Sequence, residues 1–340
     1  MKRLLSGLMA VALSFSLLSG CGRPTDAAAD PAPVQPTVEA GYEEGVTTRV
    51  AALKGPTAMG LVELMAQEGE GDEAPYSFAL YTAGDEIVPL LAKGEVDIAL
   101  IPTNLAAVLY QKTEGGVQVL DVNAGNVLYA VSHDEGLTHL AGLQGRTVYM
   151  TGKGASPDWT LRYLLDKSGL GADAVTIEFK AEATEVLSAL GQDPTAVGVL
   201  PQPFATVAMM QDPELSLNFA LDEAWKQYSP DGSGIATGVT VVRTDYAQAH
   251  PAAVAQFVND HRQSVAAAQA DPVGAAALID AQGIVKAPIA QHVIEQFDPM
   301  VAVSGQEMRD WVSGYLSMLY EIEPNAVGGA LPDEGFYHLG

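Results

Sequence analysis

Cysteine is nearly absent from this 340-residue chain. With Cys21 alone, no internal disulfide can staple the fold and no cage of thiolates can hold a metal. Basic residues are scarce as well: 17 against 42 acids leave a formal net charge of −25. That balance argues against nucleic acid and anionic lipid headgroups as partners. It leaves a small anionic ligand open, because clustered backbone N–H groups bind anions without help from net charge. The signatures of common catalysts are missing too. There is no G-x-S-x-G elbow, no H-E-x-x-H pair and no G-x-x-x-x-G-K-[ST] loop. Gly152-Lys153-Gly154 lacks the third glycine of a dinucleotide fingerprint and has Pro157 instead. His133, His139, His250, His261, His292 and His338 show no metal-ligand spacing. No catalytic residue, metal or cofactor is therefore expected. No repeat of ~20–50 residues is visible, which argues against a solenoid.

What is present begins with an address. Lys2 and Arg3 precede an apolar run, Leu4 to Leu18, closed by Leu18-Ser19-Gly20-Cys21. The run is too short for a spanning helix and reads as a secretory signal, residues 1–20. Its ending resembles a bacterial lipobox, which implies lipidation of Cys21 and an extracytoplasmic chain anchored to the membrane. Residues 21–46 are rich in Pro, Ala and acids and read as a flexible tether. The folded part is expected from about Thr47.

From there one pattern recurs. Val50 to Leu53 is a buried strand that ends in Lys54-Gly55-Pro56-Thr57 and enters an amphipathic helix. Tyr76–Thr82 ends at Ala83-Gly84-Asp85 before a helix, Glu86–Ala92. Val96–Ile101 ends at Pro102-Thr103-Asn104 before Leu105–Gln111. Arg146–Met150 ends in Thr151 to Pro157 before Asp158–Lys167. Val197–Leu200 ends at Pro201-Gln202-Pro203 before Phe204–Met210. Strands alternating with helices indicate βαβ units on a mostly parallel α/β sheet. In such sheets ligands lie beyond the carboxyl ends of the strands, where these corners fall. Asn126–Ser132 and Gly238–Arg243 break the rhythm and read as crossings between two lobes. Residues 47–129 with 244–340 would form lobe one, and 130–243 lobe two. Past Asp245 the pattern is helical, with Pro251 and Pro272 at helix starts.

The order of segments is similar to that of a known family. The lipobox, the strand–GPT–helix opening, KGEVDIALIP, LQGRTVYMTGKGASPDW, LPQPFA and the helix HPAAVAQF together resemble substrate-binding proteins of ABC importers for nitrate, taurine and aliphatic sulfonates. That family includes binders of the thiamine pyrimidine precursor. The resemblance covers roughly residues 47–290. It implies the two-lobed type II periplasmic-binding-protein fold, closing on a small-molecule solute by a hinge. It also implies a permease with its ATPase as partner, and a monomer is expected.

If the corners face one cleft, the ligand-binding candidates are Pro56, Thr57, Ala58, Thr103, Asn104, Thr151, Gly154, Ala155, Ser156 and Gln202. Tyr81, Tyr129, Trp159 and Phe204 could stack on a planar ligand. Pro56 has no N–H, so Thr57 and Ala58 are expected to supply the backbone donors at that corner. Taken singly, each hydroxyl reads first as an ordinary helix cap, each aromatic as core, and Lys54 and Lys153 as surface lysines. Family members often carry Glu-Pro where this chain has Gln202-Pro203, and an amide supplies no charge for a cationic ring. Two other readings stay open: an extracytoplasmic enzyme of the same fold, and a sensory or interaction lipoprotein without a permease.

Overall fold

Strands and helices alternate from Thr48 onward in a computed structural model, which describes residues 39–67, 74–125, 127–229, 233–297 and 299–340. The expected signal segment, Cys21 and most of the tether lie outside the described residues, as does Asn126.

The first lobe opens with β1 (Thr48–Leu53), α1 (Pro56–Met59), α2 (Val62–Ala66), β2 (Tyr76–Tyr81), α3 (Gly84–Lys93), β3 (Ile98–Pro102), α4 (Thr103–Lys112) and β4 (Val117–Ala124). The second is β5 (Leu128–Ser132), β6 (Thr147–Met150), α5 (Ser156–Lys167), β7 (Thr176–Phe179), α6 (Ala183–Gln192), β8 (Val197–Pro201), α7 (Phe204–Gln211), β9 (Ser216–Ala220) and α8 (Leu221–Tyr228). The chain then returns through β10 (Gly238–Arg243), α9 (Thr244–Ala249), α10 (Pro251–Ala270), α11 (Pro272–Ala281), α12 (Ala287–Phe297), β11 (Val303–Ser304) and α13 (Gly305–Ile322).

Two sheets result, ordered β11-β4-β10-β3-β1-β2 and β7-β6-β8-β5-β9. Each is mixed. Three strands run parallel in each, joined by crossover helices, whereas β10 runs antiparallel to β3 and β4, and β5 antiparallel to β8 and β9. The buried runs Val50-Ala51-Ala52 and Ile98 to Ile101 are apolar throughout because helices cover both faces of the sheet.

Several expectations need correction. Gly238–Arg243, expected as a crossing, is a strand of the first sheet, paired with β3 and β4. Tyr129, the expected end of the first part of lobe one, lies in β5 of the second sheet. The helix after Thr57 is interrupted at Gly60-Leu61, where Gly60 lies tightly against Val265 and His261 of α10. Within the expected tether, Gly41 to Glu43 contact α10 and the junction between α9 and α10. Tyr42 donates to Asp260 at 2.9 Å, His250 Nδ1 lies 2.7 Å from Glu43 Oε2, and the Gly41 N–H bonds to the Ala252 carbonyl.

Two elements bear on the site. β4 carries buried Asp121 and Asn123, held in a chain in which Asn123 donates to Thr240, Thr240 donates to Asp121 at 2.5 Å, and Asp121 lies 2.8 Å from His261 Nδ1. Helix α13 leaves the first lobe and packs on α5 of the second, where the Tyr315 and Thr160 hydroxyls meet at 2.7 Å.

Candidate functional site

A cavity of about 630 Å³ lies between the two sheets. That volume suits a small molecule. Its wall is built almost wholly from the ends of strands and the starts of helices. The first lobe contributes Leu53, Lys54, Pro56, Thr57, Thr82 to Asp85, Pro102 and Leu105; the second contributes Thr151 to Lys153, Ala155, Pro157, Lys180 to Thr184, Pro201 and Phe204. Ala124, Val127, Leu128, Thr237 and Gly238 form a floor at the two crossings. Helices α3, α4, α5, α6 and α7 all begin at this wall. Their N-terminal dipoles therefore add at one place, which favours negative or strongly accepting groups there.

Glycine is required at two positions of this wall and its backing. Gly55 has φ 129°, and a Cβ there would lie 3.6 Å from the Phe204 ring of the other lobe. A Cβ at Gly238 would lie 2.7 Å from Asn123 Oδ1 and 3.0 Å from Thr57 Cγ2, so the bare backbone leaves the floor open.

Charge is distributed unevenly. The chain has nine lysines, and three of them, Lys54, Lys153 and Lys180, line the cavity. Among the described residues Asp85 and Glu182 are the only acids in the wall, so its side chains are net positive in a protein of −25. Lys153 lies over the Phe179 ring at 5.9 Å and Lys180 over the Tyr149 ring at 4.7 Å, on neighbouring parallel strands. Lys180 also meets Glu178 at 3.4 Å, whereas Lys54 and Lys153 pair with no carboxylate among the described residues.

Of the fourteen sequence candidates, Pro56, Thr57, Thr151, Ala155 and Phe204 line the cavity. The other nine do not reach the wall, and their contacts explain why. Ala58 is fully buried and its N–H bonds to the Gly55 carbonyl at 3.2 Å, so it is not the free donor expected. Thr57 itself turns its hydroxyl to the Leu53 carbonyl at 2.7 Å. Asn104 and Ser156 bond to each other, and Asn104 also donates to the carbonyls of Gly154 and Ala326. Gly154 directs its N–H to Asp158 and accepts from Trp159 Nε1, which removes both Gly154 and Trp159 from the opening. Gln202 Oε1 caps α7 by accepting from the Thr206 N–H and hydroxyl. Thr103 is buried, its N–H bonded to the Thr237 carbonyl. Tyr81 is partly buried against the large apolar cluster that includes Ala51 and Ile87. Tyr129 packs edge-on against Phe297 at 5.4 Å, and burial pushes its phenol up to about 12.

Sequence reasoning left out Lys180 to Thr184, Thr82 to Asp85, and Thr237-Gly238. The Ala83-Gly84-Asp85 corner was legible as a corner. Lys180 was not, because β7 is short and half exposed and gives no clean strand signal. Among the described residues, His133, Asp212 and Glu214 could together hold a cation, but they lie at the end of β5 away from the cavity.

A family model described as NMT1/THI5 like matches residues 77–275. No curated protein sequence matches the chain. Among solved structures, an ABC transporter from Parabacteroides distasonis is 24% identical with a TM-score of 0.71, over 87% of this chain and 99% of that one. The periplasmic aliphatic sulphonate binding protein SsuA of Escherichia coli is 14% identical with a TM-score of 0.67, over 83% and 90%. The alkanesulfonate-binding protein SsuA of Xanthomonas axonopodis pv. citri, bound to MOPS, is 16% identical with a TM-score of 0.65, over 86% and 96%. The shared architecture is the two-lobed periplasmic-binding-protein fold.

Proposed function

The chain belongs to the NMT1/THI5-like family, and from that premise we propose that it is the extracytoplasmic solute-binding component of an ABC importer, carrying a small organic anion to its permease. The observation that carries this reading is the interlobe cavity, walled by five helix starts and three of the chain's nine lysines. Helix N-termini and ammonium groups both favour a negative head, and Leu53, Leu105, Leu128 and Phe204 offer the rest of the solute an apolar wall. The sulfonates that two structural relatives are named for combine those features. A binder rather than an enzyme also fits the wall, which among the described residues contains no histidine or cysteine.

On this reading lobe one is built on the first sheet and lobe two on the second, and residues 1–20 are a signal. Cys21 would carry the lipid anchor, and the tether would end near Gly41, where the chain docks on α10.

Thermal unfolding of the full chain against aliphatic sulfonates, taurine, nitrate and an aminopyrimidine tests the proposal. Ligand at 100 times its Kd adds about 2.7 kcal/mol of stability. A rise in melting temperature with a sulfonate or related anion, without turnover, supports it. A flat response to every anion beside a clear shift with the pyrimidine removes the anionic solute. No shift with any of them removes the binding role for this solute group.

A further inference from the structure

The two sides of the cleft are closed by contacts of very different kinds. On one side a single buried apolar cluster passes from the first sheet (Val119, Val239) through α13 (Val312, Tyr315) into α5 and α8 (Leu161, Trp225). The same helix seats Trp311 against both crossings: a Cβ on Gly125 would lie 3.2 Å from its indole, and one on Gly234 would collide with it. Buried polar contacts reinforce this side. Tyr315 donates to the Ser156 carbonyl at 3.2 Å, and Asn104 joins Ser156 and Gly154. Lys167 of α5 pairs with Glu321 of α13.

On the other side the remaining clusters are separate. One lies under α10, α11 and α12 of the first lobe, the other under α6 and α7 of the second. Among the described residues, Phe297 at the end of α12 is the one partly buried apolar side chain that packs on both. Its partner across the divide is Tyr129, ring to ring at 5.4 Å and 73°. Ile284, just before α12, and Phe204, at the start of α7, both line the cavity. Parting α12 from α7 therefore opens it.

Separating the lobes along α13 would expose continuous apolar core and strand several buried polar groups. Separating them at Phe297 parts α12 from α7 where a partly buried ring meets Tyr129 edge to face and the edge of the second lobe's cluster, a far smaller seam than the one along α13. We propose that α13 is the fixed pivot of this protein and that Phe297 on Tyr129 is the latch through which the cavity admits and releases its ligand. The purpose assigned to the motion rests on the binding-protein reading above. The motion itself is a property of the unliganded chain and is tested without a solute.

Spin labels on cysteines read both sides in the full chain carrying Cys21→Ser. One pair, Gln211→Cys with Glu295→Cys, sits on exposed positions of α7 and α12 and spans the latch. A second, Asp166→Cys with Ser317→Cys, sits on exposed positions of α5 and α13 and spans the pivot. Adding Phe297→Ala should create a longer-distance population in the latch pair and leave the pivot pair unchanged. Phe297→Tyr, which keeps the ring, should restore the original distribution. An unchanged latch distance in Phe297→Ala overturns the latch, even if the melting temperature falls. Lengthening of the pivot pair overturns the pivot. Either result leaves the solute-binding reading standing, and a failed solute screen leaves these distances unaffected.

Discussion

Asn104 and Ser156 hold each other across the boundary between the lobes: Ser156 Oγ donates to Asn104 Oδ1 at 3.2 Å and accepts from the Asn104 backbone N–H at 3.3 Å. Both residues are at most 1% exposed. Asn104→Ala leaves the Gly154 carbonyl and the Ser156 hydroxyl each short of a partner, and should cost about 1–3 kcal/mol in urea unfolding. The double variant Asn104→Ala/Ser156→Ala should cost less than the sum of the singles, because the pair shares its bonds. Additive losses would show that the two residues do not act together.

Lys54 and Lys153 should matter for affinity and not for folding. Neither has a carboxylate partner among the described residues, and both reach the cavity from opposite lobes. Lys153→Met should weaken binding of a sulfonate by about 1–2 kcal/mol, roughly 5- to 30-fold, with the unfolding midpoint unchanged. Titration calorimetry at low and high salt checks it. Equal affinity in the variant would return Lys153 to the solvated surface.

Thr57 offers a steric test. It is 8% exposed, its methyl faces the open space at Gly238, and its hydroxyl is tied to the Leu53 carbonyl. Thr57→Leu should push into the floor and weaken ligand binding while far-UV circular dichroism stays native. Unchanged affinity would place this corner outside the site.

Gly55→Ala tests the backbone at the same corner. At φ 129° the residue sits where an L side chain is strained, which costs about 1–3 kcal/mol. The loss should appear in denaturant unfolding, and the strained corner should also lower ligand affinity.

Alkaline pH should loosen the fold from a defined point. Burial pushes the phenols of Tyr129 and Tyr337 up to about 12, whereas an exposed tyrosine titrates near 10. Between those values the unfolded chain has released protons that the folded chain still holds, so stability falls as pH rises from about 10 through 12. Tyr129→Phe should flatten its share of that slope in thermal melts, and an unchanged slope would count against this assignment.

Much of the fold was legible because glycine, proline and threonine punctuate the ends of apolar strands. Lys54-Gly55-Pro56-Thr57 and Thr151 to Pro157 marked strand ends correctly. β4 was hidden, because Asp121 and Asn123 look like loop residues until Thr240 and His261 are known to pair with them inside the core. The candidate site was legible only as a set of corners. Which atoms face the cavity depends on how the lobes meet, and no local pattern records that. Asn104, Gly154 and Ser156 have the right chemistry for a ligand and direct it at each other. Phe204 reads as core and faces the opening.

The apolar cluster that runs through α13 has a consequence for modularity. Residues 128–228 look like an insertion that could be lifted out, since the chain enters and leaves them beside each other. Tyr315 and Val312 nevertheless complete the interior of that insertion from the far end of the sequence. Neither half can be exchanged or expressed alone without baring an apolar face, so the two should melt in one cooperative step.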